Sequence, residues 1–159
     1  RRLLTGTKPE FVHAILQNGI DPRFCSGLFG QGAYLAENPS KVDQYCTADW
    51  DDISELQEIL YANNGLRHPG KVFYCFVVQV AIGAAIHTKD GETDQQKRQS
   101  VWMNRDDKRI LASAAGTSPT NHYHTLVAEL GGVVQRHREF VIFDKDLAKL
   151  EYLIAFRRV

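Results

Sequence analysis

The sequence predicts an α+β fold with an antiparallel core. Three observations predict it. Short helices with helical periodicity come first, within residues 8–62, apart from the short strand at 34–36; β-branched and aromatic runs dominate from residue 71; and further short strands follow to the end of the chain. With 159 residues, the chain is the size of one ordinary domain and can bury one sizeable core.

Leu3 and Leu4 form a short apolar entry. Thr7, Lys8, Pro9 and Glu10 then read as a capping box, with Pro9 in the first turn where its missing N–H is harmless. Phe11, Val12, Ile15 and Leu16 recur at helical spacing and Gly19 supplies a stop, which predicts a helix over 8–18. A turn-rich segment covers 21–32, and Tyr34, Leu35 and Ala36 form a short strand. Asn38 or Ser40 caps a second helix running to about Cys46. Ile53, Leu56, Ile59 and Leu60 predict an amphipathic helix over 49–62, ended by Asn63, Asn64 and Gly65. The run 71–81 is a buried strand, expected to be central. Residues 90–108 are polar, with little periodicity, and read as a long exposed loop. Further strands are expected over 122–129, 140–143 and 152–156.

Lys plus Arg and Asp plus Glu each number 19, so the net charge gives no general reason to bind nucleic acid or an anionic membrane. The basic patches at 136–138 and 157–158 read as solvated surface. Cys25, Cys46 and Cys75 are odd in number and form no CxxC pair, which points to reduced thiols in an intracellular compartment, cytoplasmic or nuclear. No apolar run reaches the length of a membrane span and no signal-peptide pattern opens the chain. The lone methionine is Met103, so the expectation is a domain cut from a longer protein.

Gly27, Gly30 and Gly32 precede Tyr34 in "GLFGQGAYLAE" but lack the context of a dinucleotide fingerprint. They mark either a plain turn or a close approach of backbone to ligand. Tyr34 and Tyr45 either face each other across a flat ligand or serve as core aromatics. Glu139 stands between Arg138 and an apolar run. It is either a rim residue paired with Arg138, which the pattern favours, or a cleft residue that stabilises developing positive charge. His122 and His124 share a strand face, yet no third ligand accompanies them, so no metal is expected. No Ser-His-Asp pattern, nucleophile elbow or Walker A sequence is found.

Taken in order, "LLTGT", "GLFGQGAYLAENPSKVDQY", "FYCFVVQVAIG", "HYHTL" and "REFVIFDKDLAKLEYLIAF" resemble the catalytic domain of the poly(ADP-ribose) polymerase family, diphtheria-toxin-like ADP-ribosyltransferases. The resemblance spans nearly the whole chain as one domain, with 49–62 and the loop from 90 as local insertions. It implies an antiparallel split sheet with short flanking helices, NAD+ as co-substrate and no metal.

The family's His-Tyr-Glu triad falls on Thr5, Tyr34 and Glu139, so the histidine is replaced. The stacking tyrosine falls on Tyr45, and the serine that bonds the nicotinamide carboxamide falls on Val42. Gly6 would meet that carboxamide with its backbone. Thr7, Gly30 and Gly32 are placed with the dinucleotide site. The donor loop falls on about 21–26, where "RFC" is similar to the mono-ADP-ribosylating members. The implied activity is transfer of one ADP-ribose to a protein acceptor with release of nicotinamide. A nucleic-acid acceptor stays open, and no membrane partner is implied; other domains of a parent chain are expected partners. The alternatives are a catalytically inactive domain, used for protein interaction or weak nucleotide binding, and an NAD+ glycohydrolase.

Overall fold

The computed structural model describes residues 1–50 and 54–159. Strand β1 (Arg2–Thr7) leads into helix α1 (Pro9–Asn18), and a single 3-10 turn (Pro22–Phe24) precedes β2 (Ala33–Ala36). Two short helices follow, α2 (Pro39–Asp43) and α3 (Glu55–Leu60). The rest is largely strand: β3 (Phe73–Val80), β4 (Ala85–Thr88), β5 (Trp102–Asn104), β6 (Asp107–Leu111), β7 (Thr125–Ala128), β8 (Glu139–Ile142) and β9 (Ala148–Phe156). This is the α+β architecture expected.

Seven strands form one sheet in the order β4-β7-β8-β2-β1-β3-β9, and β5 and β6 make a separate hairpin. Every neighbouring pair in the large sheet is antiparallel except β4 and β7, which run parallel. Strand β1 pairs with β3 along its whole length, from Arg2↔Gln79 to Thr7↔Tyr74. Against β2 it registers at Leu4↔Ala36. The sheet is therefore split into a β1-β3-β9 half and a β2-β8-β7-β4 half, joined by a narrow seam.

Local chemistry explains most elements. Pro9 opens α1, and Gly19, at φ 76°, closes it by donating its N–H to Ile15 O at 2.8 Å. The predicted capping box does not form. Lys8 is the N-cap and no side chain caps the helix, because Thr7 is the last residue of β1, held extended opposite Tyr74. Asn38 caps α2 by accepting from Ser40 N at 2.9 Å, but the helix stops at Asp43 rather than Cys46. The helix expected over 49–62 is shorter. Asp49 bridges to Val72, and Ser54 caps a helix that starts at Glu55; Ile53, part of that expectation, lies outside the described residues.

Strand β3 is buried as expected, but it is penultimate rather than central. Its side chains Tyr74, Phe76, Val78 and Val80 join Leu3, Val12 and Phe140 in the main core. The polar stretch 90–108 is not simply an exposed loop. Val101 is fully buried and Trp102 is 2% exposed, and Trp102 donates its indole N–H to Gly91 O at 2.8 Å. One buried indole anchors a polar segment and seeds the β5–β6 hairpin against Phe143. His122 and His124 precede β7 and do not share a strand face. His122 Nδ1 donates to Leu111 O at 2.9 Å, whereas His124 Nδ1 accepts from Ala84 N at 3.0 Å.

Candidate active site at the split in the sheet

Where β1 and β2 part, a cleft of 720 Å³ opens. Its lining includes Thr5, Gly6, Tyr34, Val42, Tyr45 and Glu139. Thr7, Gly30 and Gly32 are not among the residues lining it.

Glu139 begins β8 between Ala36 of β2 and Ala128 of β7. Methyl side chains on both flanks leave room for a carboxylate, which is 7% exposed. The rim pairing with Arg138 does not occur. Arg138 Nε bonds Glu129 at 3.0 Å, while Glu139 lines the cleft and meets Lys41 Nζ at 2.8 Å. Isolated charge is expensive to bury, and this pairing keeps it compensated. Lys41 also stands over the Tyr45 ring, 5.3 Å from its centroid. Burial alone would lower the Lys41 pKa, but the bonds to Glu139 and Tyr45 outweigh it and the net direction is upward. The sequence reading passed over Lys41. Its signal was present: Lys41 and Tyr45 are four apart where a helix was expected, and such positions share a face.

Tyr34 is held by the glycine-rich loop. Its hydroxyl accepts from Phe29 N at 2.7 Å and donates to Gly30 O at 3.0 Å, and burial pushes its pKa up. The glycines are explained by neighbours within the protein. A Cβ on Gly27 would lie 2.6 Å from Tyr34 Cζ, and one on Gly32 would lie 2.6 Å from a Val141 methyl. Gly30, at φ 90°, has Lys108 O of the hairpin where a Cβ would go. The loop is thus a cradle that fixes the Tyr34 ring at the cleft.

Thr5 Oγ1 donates to Tyr34 O at 3.0 Å, a hydrogen bond across the seam. Gly6 has no space for a side chain, since a Cβ would sit 2.4 Å from Val42 O and 2.7 Å from Cys46 Sγ. Val42 is 4% exposed and packs with Ala36, Cys46, Phe73 and Cys75. Tyr45, by contrast, is 55% exposed at the cleft.

Two further groups were read differently from sequence. Arg136 and His137, read as solvated surface, line the cleft. Cys25 also lines it, with its thiol donating to Asp21 O at 3.6 Å and its pKa raised by burial. Among the described residues, no group of three metal-ligating side chains is found. The cleft offers aromatic faces, backbone hydrogen-bonding groups and one carboxylate poised beside a cation.

No curated protein matches the chain. The family model described as the poly(ADP-ribose) polymerase catalytic domain matches residues 1–158. With that match over nearly its whole length, the chain belongs to the poly(ADP-ribose) polymerase catalytic-domain family, whose members take NAD+ as substrate for ADP-ribosyl transfer.

Proposed function

We propose that this domain transfers a single ADP-ribose from NAD+ to a protein acceptor and releases nicotinamide. The observation that carries the reading is Glu139, buried at the cleft beside Lys41 and away from Arg138. Departure of neutral nicotinamide leaves oxocarbenium character on the ribose, as in glycoside hydrolysis. A carboxylate held nearly buried at the cleft opposes that charge as it develops. In this reading Glu139 holds the ribose hydroxyl, and the 2.8 Å contact with Lys41 positions its carboxylate. Tyr34 and Tyr45 embrace the flat nicotinamide cation, and Gly6 offers its backbone to the carboxamide.

A second reading, a domain that keeps the fold without turnover, is favoured by two observations. The Thr5 hydroxyl already donates to the sheet, and Val42 presents methyl groups where a polar contact would help the carboxamide. Incubation with NAD+ labelled on the adenylate half decides between them. Transfer predicts label in protein together with stoichiometric free nicotinamide. Nicotinamide release without protein label would instead make water the acceptor, and neither product would support the non-catalytic reading.

A further inference from the structure

We propose that the β5–β6 hairpin is a positioning element for NAD+: it backs the glycine-rich loop, and through that loop it sets the Tyr34 ring, with Trp102 as the positioning residue. The inference rests on reading the cleft as a site of ADP-ribosyl transfer. The residues lining the cleft include none from 90–111, so the hairpin works through the groups it touches. Tyr34 has two hydroxyl partners, and both belong to the loop. Phe29 N donates to the Tyr34 hydroxyl at 2.7 Å, and that hydroxyl donates to Gly30 O at 3.0 Å. The loop has little of its own to fix them. Gly27 and Gly30 exchange backbone bonds of 3.1 and 3.2 Å, and glycines at 27, 30 and 32 otherwise leave the backbone free.

The remaining restraint comes from the hairpin and the turn that leads to it. Phe29 is 1% exposed and shares a core cluster with Trp102. Gly91 packs against it, since a Cβ there would lie 3.1 Å from Phe29 Cδ1. Gly30 faces Lys108 O and the indole of Trp102, whose Cη2 lies 2.7 Å from where a Gly30 Cβ would be. Gln31 N donates to Lys108 O at 2.9 Å. Three consecutive loop residues are therefore backed from 91–108, and the first two hold the Tyr34 hydroxyl. The support is itself fixed. Trp102 donates to Gly91 O at 2.8 Å and meets Phe143 edge-on at 5.7 Å. Gly91 N donates to the hydroxyl of Thr88, a fully buried residue at the end of β4, at 2.9 Å. The hairpin pairs with no strand of the seven-stranded sheet; at Lys108 its backbone is committed to the loop instead. A fixed base orders a glycine-rich loop before a ligand arrives, so less ordering falls on the binding step.

The test uses the whole chain and three readouts: amide hydrogen exchange by NMR, calorimetric titration of NAD+ and thermal melting. In the unaltered chain the Phe29 and Gln31 amides should exchange at least about tenfold more slowly than unbonded amides. Trp102→Phe keeps an aromatic core side chain but removes the N–H bonded to Gly91 and the ring edge that backs Gly30. It should speed exchange at both amides and weaken NAD+ binding about tenfold, since small misplacements at a site are costly. Ile86→Ala is the matched control. Ile86 belongs to the same cluster but stands three strands from Tyr34, along the row Ile86, Leu126, Val141, Tyr34. It should lower the melt while changing NAD+ affinity less than about twofold. Equal weakening by Ile86→Ala would assign the effect to ordinary core packing and overturn the proposal. Unchanged binding in a folded Trp102→Phe variant would overturn it too. So would free exchange of the Gln31 amide in the unaltered chain, a measurement that decides even if Trp102→Phe does not fold. Exchange and binding are read without turnover, so an absence of nicotinamide release would defeat the proposed activity alone. An unaltered chain that binds no NAD+ would defeat the donor-site reading and this proposal's role for Tyr34 together, while the amide exchange would still report separately whether the hairpin holds the loop.

Discussion

The two ends of the cleft are built on opposite principles. Around Glu139 the structure keeps an ion pair and gives it room, with alanines flanking the carboxylate on both neighbouring strands. Around Gly6 it removes room altogether. Val42, Cys46, Phe73 and Cys75 close an apolar cluster against the strand, and even one added methyl group has no place. The first end can respond to charge that develops during a reaction. The second holds a shape and offers only backbone groups. Rate and stability should therefore separate along the cleft, with changes near Glu139 acting on turnover and changes near Gly6 acting first on folding.

The largest effect is expected at the charged end. Glu139→Gln keeps the size and one acceptor oxygen but removes the charge. It should lower nicotinamide release by roughly 10²–10³-fold, the scale of losing one preorganised electrostatic group, with a far smaller change in NAD+ affinity. Single-turnover kinetics and calorimetric titration measure the two quantities. Equal losses in both would show that the two ends do not divide the work and that Glu139 binds the ground state.

At the packed end, Gly6→Ala should destabilise the fold by about 1–3 kcal/mol, as overpacked sites do. The atoms that must give way are Val42 O, which is helix backbone, and Cys46 Sγ, itself bonded to Tyr74 O at 3.1 Å. For a domain of this size each kcal/mol lowers Tm by roughly 2–4 °C, which a thermal melt resolves. An unchanged Tm would mean that α2 yields easily and that the close packing does not constrain the site.

Val42→Ser connects the two regimes. It trades buried methyls for a hydroxyl, so folding stability should fall by roughly 1–2 kcal/mol. If the hydroxyl reaches the carboxamide, NAD+ binding should tighten by about 0.5–1.5 kcal/mol, the value of one hydrogen bond. Melting and titration of the same preparation would then move in opposite directions. A loss of stability with no gain in affinity would favour the non-catalytic reading.

These contrasts bear on what was legible in the sequence. Strand β3 was readable because a long β-branched and aromatic run leaves few alternatives, and α1 was readable from its spacing, Pro9 and Gly19. Strand β1 was not. Thr5, Gly6 and Thr7 carry no strand pattern, and they are extended because β3 accepts them along their whole length, a case of tertiary pairing overriding propensity. The β5–β6 hairpin was hidden because one buried indole outweighs the polar residues around it. For Glu139 the pattern favours the rim because it sees only chain neighbours. The residues that place it, Ala36, Ala128 and Lys41, come from three other elements. The resemblance to the family recovered that position where periodicity failed.

The smallest effect expected concerns the segment 21–25, which enters the cleft through Phe24 and Cys25. Asp21 opens it, accepting from Arg23 N at 2.9 Å and from the Arg23 guanidinium at 2.6 Å. The side-chain bond from Arg23, reinforced by the backbone bond, lowers the Asp21 pKa from its ordinary 3.8 to about 2. A carboxylate whose folded pKa is depressed stabilises the fold above its unfolded pKa, and that contribution is lost as pH falls toward the folded value. The turn should therefore stay capped through pH 3.8 and release only near pH 2. The Asp21 side chain is only 14% exposed, but Arg23 is 79% exposed, so water and salt screen the pair and its influence on NAD+ binding near neutrality should be slight. The carboxyl carbon shift of Asp21, followed by NMR from pH 6 downward, reports the midpoint directly. Arg23→Ala should return it toward 3.8, because the side-chain bond that chiefly lowers it is then gone. A midpoint near 3.8 in the unaltered chain would show that the turn is not held by this pair, and the entrance to the cleft would then be set by the Gly27–Gly30 bridge and the Tyr34 hydroxyl instead.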